Sequence, residues 1–336
     1  MNSDCCPKLP LIDRFGRLHT SLRVSVTDRC NLRCFYCMPE HGAEFEPREA
    51  LLTFEETSRI VRLLVDHCGV QDVRLTGGEP LVRKDLPNLV SMLSEIPGLE
   101  DLSLTTNGVL LTEHAEALRA AGLKRLNISI DTLDEATFQK IARRKGISQV
   151  VAGIDAAIEC GFDSIKLNTT AVKGVVESEI VSLVGFAIDR GVQIRFIEFM
   201  PLDTDRAWQD ASVLSGADIR KIIESNFGAM EPVDGPTSQP ARDFVLAGGH
   251  RIGLITSVTE PFCQACNRIR LTADGAIRNC LFSNNEYSVR DPMRAGASDD
   301  ELLNVFRTAV AAKAAGHGID EEGFEPPSRP MYSIGG

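Results

Sequence analysis

The sequence predicts an α/β fold, a partial (β/α)6 TIM-type barrel followed by a C-terminal module. Between about residues 22 and 200, short β-rich runs alternate six times with amphipathic stretches, which is typical of a parallel sheet with right-handed crossovers. The runs are rich in Val, Ile and Leu, as expected for strands buried on both faces. Six units fall short of the eight in a closed barrel, so we expect an open one.

Each predicted strand is followed by polar residues, such as Gly77, Asn107 and Asp131. The strands are predicted at 22–27, 72–78, 101–108, 125–131, 164–170 and 193–200. The helices between them are predicted at 53–67, 86–95, 112–121, 133–160 with a break near Gly146, and 178–190. In barrels of this type the carboxyl ends of the strands form the active-site face.

The pattern changes after Pro201, where the strand–helix alternation stops. We predict a helix at about 215–227, a loop rich in Pro at 231–241, two β-hairpins with Gly-Gly and Asp-Gly turns, and a helix at about 299–315. We therefore divide the chain into a barrel domain, 1–240, and a C-terminal module, 241–336, that closes the open side of the barrel.

The composition excludes several classes of protein. Of the 336 residues 43% are hydrophobic, and the net charge of −11 lacks the basic footprint of a non-specific nucleic-acid binder. No apolar stretch is long enough to span a membrane, and residues 1–20 do not resemble a signal peptide. We expect a cytoplasmic protein that binds neither nucleic acid nor membrane, and in which disulfides are disfavoured.

Cys30, Cys34 and Cys37 lie in the loop after the first predicted strand, with the spacing C-x3-C-x2-C. Three thiolates in one tight loop could hold a [4Fe–4S] cluster and leave its fourth iron open for a cofactor. A zinc site is the alternative. Structural zinc usually takes four ligands in paired spacing, and the nearest further candidate, His41, lies beyond Pro39.

A second cysteine group has the spacing C-x2-C-x13-C and consists of Cys263, Cys266 and Cys280. We interpret it as a second [4Fe–4S] cluster with an open iron, which faces the first across the barrel mouth. A zinc site completed by His250 is the alternative. Four further cysteines match no motif, namely Cys5, Cys6, Cys68 and Cys160, of which the last two are expected to be packing residues at helix ends.

Arg268 and Arg270 follow the second cysteine pair and, by strand alternation, share one face. Beside a metal site, two adjacent guanidiniums suit a polyphosphate, although an isolated pair of this kind is more often a solvated surface feature. Further cations lie on barrel strands, namely Arg23, Arg74 and Lys166. Burying them requires a partner, which is either an anionic ligand or a carboxylate such as Glu198 or Asp131.

The first cysteine motif, with Tyr36 at its aromatic position, resembles the signature of the radical S-adenosylmethionine superfamily. Its companion is Gly77-Gly78-Glu79-Pro80 after the second strand, where glycines allow close approach of the backbone. The resemblance implies a partial (β/α)6 barrel and a [4Fe–4S] cluster that binds S-adenosylmethionine. One-electron reduction of this cofactor releases a 5′-deoxyadenosyl radical.

Nearly the whole chain resembles the GTP 3′,8-cyclase family of molybdenum cofactor biosynthesis. The matching segments are 13–17 (D-x-F-G-R), 22–39, 74–81, 105–108, 127–133, 166–168, 195–202, 262–275 and the terminal Gly335-Gly336. The resemblance implies that the radical abstracts the 3′ hydrogen of GTP, and that the product is (8S)-3′,8-cyclo-7,8-dihydroguanosine 5′-triphosphate. It also implies a homodimer, an electron donor, and cyclic pyranopterin monophosphate synthase as the enzyme that uses the product.

The resemblance assigns roles to individual residues. Two [4Fe–4S] clusters are expected on the two cysteine groups, with guanine at the open iron of the second. Contacts to S-adenosylmethionine are expected from Tyr36, Gly78, Ser129 and Met200, and contacts to GTP from Arg23, Arg74, Thr105, Lys166, Arg268 and Arg270. The glycine tail is expected to reach into the active site, with a frayed terminus as the alternative. The loop at 40–50 departs from the family pattern.

Two other functions are compatible with parts of the sequence. One is a different radical enzyme with two clusters, such as a peptide-maturing one. Two features argue against it, namely the pair Arg268 and Arg270 and the glycine tail. The other is a non-enzymatic zinc-binding module, which iron and sulfide analysis distinguishes from a radical enzyme.

Overall fold

A twelve-stranded sheet runs through the part of the chain that the computed structural model describes, residues 8–202 and 208–335. The strands are β1 (Ser21–Ser25), β2 (Asp72–Thr76), β3 (Asp101–Thr106), β4 (Arg125–Ser129), β5 (Ser164–Ala171), β6 (Gln193–Glu198), β7 (Glu231–Val233), β8 (Arg242–Val245), β9 (Arg251–Ile255), β10 (Arg268–Leu271), β11 (Ala276–Arg278) and β12 (Tyr287–Ser288). Cys5, Cys6 and Gly336 lie outside the described residues.

The strands β1 to β6 pair in parallel and in chain order, which confirms the predicted partial barrel. β10 adds in parallel to the free edge of β1, and β9 adds in parallel to the free edge of β6. These two strands therefore lie at opposite ends of the parallel run and continue into antiparallel hairpins with β11 and β8. The sheet stays open, and both predicted hairpins are confirmed.

The apolar residues of the helices pack against those of the sheet, and together they form one continuous buried cluster. They are α1 (Phe54–Cys68), α2 (Leu86–Ser94), α3 (Leu111–Ala120), α4 (Glu135–Ala142), α5 (Ile147–Glu159), α6 (Ile180–Asp189), α7 (Gly216–Phe227), α8 (Arg290–Arg294), α9 (Asp299–Ala311) and α10 (Met331–Ile334). The predicted break near Gly146 is confirmed, because α4 ends at Ala142 and Gly146, with φ 150°, precedes α5. None of the described helices is long and apolar enough to cross a membrane.

Local signals explain where the helices begin and end. Thr53 and Glu56 form a reciprocal capping box at the start of α1, and Gly69 ends the helix in the left-handed conformation with φ 73°. Cys68, the last residue of α1, is buried in the core, and Cys160 follows α5 and packs against the same core. Both of these cysteines therefore lie at helix ends and against the core, as expected for packing residues.

The prediction of a loop over all of 231–241 is wrong. Residues Glu231–Val233 form β7, which pairs antiparallel with β8 at the edge of the sheet. Pro232 lies opposite Phe244. A proline is tolerated there because an edge strand has no second neighbour that needs its missing N–H group.

Helix α5 lies close to the turn that follows β3. A Cβ atom at Gly153 would lie 2.4 Å from the carbonyl oxygen of Gly108, and Gly108 itself has a φ of 79°. The preceding residue, Asn107, reaches the first cysteine loop. The contact between α5 and this turn therefore supports the position of that loop.

Gly153→Ala is expected to lower the free energy of unfolding by about 1–3 kcal/mol, because the opposing backbone carbonyl has little room to move. Gly185→Ala is a matched control, since Gly185 lies inside α6 with open space at its Cβ position. The higher helix propensity of alanine is expected to stabilise the control by up to about 1 kcal/mol. Urea denaturation compares the two, and equal stabilities would contradict the close contact.

Candidate functional site

One cavity at the carboxyl ends of the barrel strands collects nearly all the residues selected from the sequence. Its volume of about 310 Å³ falls in the range of small-molecule sites. It is lined by both cysteine groups and by Tyr36, Gly78, Ser129, Met200, Arg23, Arg74, Thr105, Arg268 and Arg270. Lys166 is the exception, because it lines a second cavity of about 660 Å³ together with Asp243 and His250.

The start of the first cysteine loop is held to the segment after β2 by backbone contacts. Gly78 N–H donates to the Thr27 carbonyl at 2.7 Å, and Glu79 N–H donates to the Arg29 carbonyl at 2.8 Å. A Cβ atom at Gly77 would lie 2.6 Å from the Thr27 oxygen, and one at Gly78 would lie 2.4 Å from the Arg29 oxygen. Both glycines are therefore required for the loop to approach the strand.

Glu79 lies buried below this loop and accepts three hydrogen bonds. Its carboxylate accepts from the Thr106 hydroxyl and the Asn107 N–H, both at 2.7 Å, and from a further backbone N–H at 3.0 Å. Burial raises the pKa of Glu79 to about 7 although these bonds act to lower it. The Asn107 side chain donates to Asn31 at 2.8 Å and lies 3.7 Å from the sulfur of Cys30. Glu79 thus fixes the turn that supports the thiol loop.

The two carboxylates considered as partners for the barrel cations are engaged elsewhere. The Tyr36 hydroxyl donates to Asp131 at 2.6 Å, and the other oxygen of Asp131 accepts from Thr170 N–H at 2.8 Å. Burial raises the pKa of Asp131 to about 6. Glu198 accepts from three backbone N–H groups and from the Thr259 hydroxyl. Pairing with these carboxylates does not account for the cations.

Five guanidiniums line the cavity, namely that of Arg195 and the four selected from the sequence, those of Arg23, Arg74, Arg268 and Arg270. The strand register places Arg23 directly between Arg74 on β2 and Arg270 on β10. Burial, together with repulsion from the other three, lowers the pKa of Arg23 well below its usual range. Among the described residues none of the four forms an ion pair with a carboxylate. This arrangement fits a polyanionic ligand such as a polyphosphate.

One thiol of the second group, that of Cys266, has electrostatic surroundings opposite to those of the first group, whereas burial raises the pKa of Cys263 as it does in the first group. Burial raises the pKa of Cys30 to about 11 and that of Cys37 to about 12. Burial also acts to raise the pKa of Cys266, but Arg268 and Lys313 lower it to about 6. The guanidinium lies 3.3 Å and the ammonium 3.4 Å from the Cys266 sulfur. The two cations therefore favour the thiolate form of Cys266, whereas a metal must displace protons from the first group.

Neither His250 nor His317 is placed to complete a zinc site at the second thiol group. His250 lines the second cavity. His317 lines the main cavity, but its Nε2 lies 3.0 Å from the Ser257 carbonyl and its Nδ1 accepts from Ile319 N–H at 3.1 Å, so both ring nitrogens are engaged. Across these residues no three Cys, His, Asp or Glu side chains are gathered around one metal-ion position. Three thiols in each group are the donor set of a [4Fe–4S] cluster with an open iron.

The C-terminal tail lies against the barrel strands at the cavity. Met331 and Tyr332 of α10 line the cavity. Gly335 follows with φ 88°, and a Cβ atom there would lie 2.8 Å from the Cβ atom of Ser25. Its carbonyl accepts from the guanidinium of Arg270 at 2.6 Å. The tail is therefore packed and hydrogen-bonded up to this glycine rather than frayed.

Two cations of the site were missed in the sequence, one that lines the cavity and one that lies beside the second thiol group. Arg195 on β6 is buried, its Nε has no hydrogen-bond partner among the described residues, and a Cβ atom at Gly253 would lie 2.7 Å from its Cγ. Strand alternation could have revealed Arg195, since it lies on a barrel strand as Arg74 does. Lys313 follows α9 and belongs to no motif, so no local signal marked it.

Comparison with known proteins identifies relatives over nearly the whole chain. The family model described as Radical SAM superfamily matches residues 24–187, and Molybdenum Cofactor Synthesis C matches 192–319. The GTP 3′,8-cyclase of Rhodopirellula baltica is 59% identical to this chain, and the alignment covers 98% of this chain and 92% of the relative. The protein of that name from Streptomyces coelicolor is 42% identical, and the alignment covers 97% of this chain and 96% of the relative.

Solved structures show the same fold at low sequence identity. Streptococcus suis SuiB bound to S-adenosylmethionine aligns with a TM-score of 0.59 at 14% identity, over 82% of this chain and 63%, less than two thirds, of SuiB. Native anSMEcpe with bound AdoMet aligns with a TM-score of 0.54 at 15% identity, over 85% and 79% of the two chains. With the curated relatives, these comparisons show that the chain belongs to the GTP 3′,8-cyclase family of radical S-adenosylmethionine enzymes.

Proposed function

We propose that this chain is a GTP 3′,8-cyclase that converts GTP to (8S)-3′,8-cyclo-7,8-dihydroguanosine 5′-triphosphate in molybdenum cofactor biosynthesis. The observation that carries the proposal is a single cavity in which two groups of three thiols meet four guanidiniums that lack a carboxylate partner among the described residues. The curated relatives that bear this name support it across both halves of the chain.

The first thiol group would hold the cluster that binds S-adenosylmethionine. Bound there, the cluster and this cofactor supply a radical able to abstract a hydrogen atom. The chain itself orients the thiols, because Tyr36 ties their loop to Asp131 and Asn107 ties it to the turn above Glu79. Contacts to the cofactor are assigned to Tyr36, Gly78, Ser129 and Met200, all of which line the cavity.

The second thiol group would hold another [4Fe–4S] cluster, with the guanine of GTP at its open iron. The four guanidiniums would bind the triphosphate and thereby orient the ribose between the two thiol groups. Thr105 lines the same cavity, whereas Lys166 has to reach it from the second one. Asn168, two residues along β5 and on the same face as Lys166, already lines the main cavity, so the displacement required is short.

Further parts of the proposal concern organisation and partners. We assign residues 1–240 to the radical-generating barrel and 241–336 to the module that binds the second cluster and GTP. We also propose a cytoplasmic homodimer that takes electrons from a separate donor and passes its product to cyclic pyranopterin monophosphate synthase. The resemblance of the sequence to its family supports the homodimer, the donor and the downstream enzyme, whereas the boundary between the two matching family models falls between residues 187 and 192 rather than at 240.

Anaerobic incubation with GTP, S-adenosylmethionine and a reductant is expected to yield 5′-deoxyadenosine in a GTP-dependent manner. Mass spectrometry would detect the cyclised nucleotide in the same reaction. Formation of 5′-deoxyadenosine regardless of GTP, without cyclised nucleotide, would indicate a radical enzyme with another substrate and refute the proposal.

Anaerobically reconstituted protein is expected to contain about eight irons and eight sulfides, enough for two [4Fe–4S] clusters. Metal and acid-labile sulfide analysis measures both. About four irons would exclude the second cluster, and zinc without sulfide would exclude the radical mechanism altogether.

Arg23→Gln is expected to weaken GTP binding by about tenfold to a hundredfold, since it removes one charge-assisted contact to the triphosphate. Guanosine affinity is expected to change little. The control is Arg62→Gln, because Arg62 is exposed on α1. Isothermal titration calorimetry with GTP and guanosine makes the comparison, and an equal loss for both ligands would show that Arg23 does not bind phosphate.

A further inference from the structure

Residues 13–17, which the proposed function leaves without a role, form a closed turn. The carboxylate of Asp13 accepts from the N–H groups of Phe15 at 2.9 Å and of Arg17 at 3.0 Å. Gly16, with φ 76°, donates its N–H to the Asp13 carbonyl at 3.0 Å. Because the turn is closed on itself, it sets the direction of the Arg17 side chain.

Arg17 joins three distant segments of the chain. Its Nε donates to the Asp13 carboxylate at 2.6 Å. Its Nη1 donates to the carbonyls of Cys263 and Ala315, both at 2.8 Å, and its Nη2 donates to the carbonyl of Ala314 at 2.6 Å. Arg17 is only 9% exposed, so water cannot readily replace these bonds. One guanidinium thus fastens the second cysteine loop to the segment after α9.

The segment held by Arg17 carries donors to the second thiol group. On one side of the two alanines, the Lys313 ammonium lies 3.4 Å from the Cys266 sulfur and 2.7 Å from the Arg268 carbonyl. On the other side, the backbone N–H of His317 donates to Cys263. The carbonyls that Arg17 anchors lie between these donors, so their position determines where both donors point.

We propose that Asp13 and Arg17 are positioning residues for the second thiol group. They contact neither the thiols nor the cavity. Instead they hold the Cys263 loop and the 313–317 segment in a fixed position relative to each other, which brings the three thiols and their donors together. That the thiols then bind a [4Fe–4S] cluster rests on the proposed function. The positioning itself concerns this chain alone and is testable without metal.

The first test uses metal-free, reduced protein under native conditions and measures the rate at which iodoacetamide alkylates each cysteine. Arg17→Met is expected to raise the rate at Cys263 by about tenfold or more, because the loop loses its charge-assisted anchor. The rate at Cys30 is expected to stay unchanged. Arg17→Lys, which can keep part of the carbonyl contacts, is expected to fall between Arg17→Met and the unaltered chain.

Arg14→Met is the matched control. Arg14 is exposed and its guanidinium lies over the Phe15 ring at 5.0 Å, as that of Arg17 does. Unchanged alkylation at Cys263 in Arg17→Met would overturn the proposal. Equal increases at Cys263 and Cys30 in both Arg17 variants would also overturn it, since Arg17 would then be a general stabilising residue.

The second test counts iron after anaerobic reconstitution. Arg17→Met is expected to keep about four irons, together with the spectral change that S-adenosylmethionine causes in the first cluster, and to lose the rest. Retention of full iron would contradict positioning of the second group. If the unaltered chain itself holds only one cluster, the proposed function fails, while the alkylation rates still decide the role of Arg17.

Discussion

The structure depends on keeping four guanidiniums close together inside a barrel, although none of them forms an ion pair with a carboxylate of residues 8–202 or 208–335. Strand register forces Arg23, Arg74 and Arg270 side by side, because each occupies an equivalent position on three neighbouring parallel strands. The carboxylates that the sequence offered as partners, Glu198 and Asp131, are engaged by other donors. If a polyanion binds there, as the proposed function requires, it would recover the free energy that this repulsion costs and would stabilise the filled cavity relative to the empty one.

The two thiol groups share the cavity but differ in chemical state. Carboxylates, among them Glu79 and Asp131, act on the first group, whereas Arg268 and Lys313 flank the second. Thiolate character controls both metal capture and oxidation. Within the second group, Cys266 is therefore the readier ligand and also the thiol more vulnerable to oxidants before it is occupied, whereas burial raises the pKa of Cys263.

The sequence predicted the elements of the barrel well because each strand is a short run with apolar residues at alternate positions, and because turns leave Gly and Asp-Gly pairs. It could not show that β9 and β10 join the parallel run at opposite edges, since pairing between distant strands leaves no local pattern. Cysteine spacing and arginines on strands predicted both thiol groups and four of the five guanidiniums that line the cavity. The sequence could not show which cavity Lys166 lines, because that depends on the tilt of the strands. It could not show the hydrogen bonds of Arg17 either, because their acceptors are backbone carbonyls, which leave no side-chain pattern.

The placement of β9 and β10 also has a consequence for synthesis on the ribosome. The strands β1 to β6 emerge first, and both outer edges of their sheet stay unpaired until residues 251–271 have left the exit tunnel. Exposed edges of apolar parallel strands invite pairing with other nascent chains. The barrel is thus completed late, by strands from the last third of the chain that cover both edges, and fragments that end before them keep both edges bare.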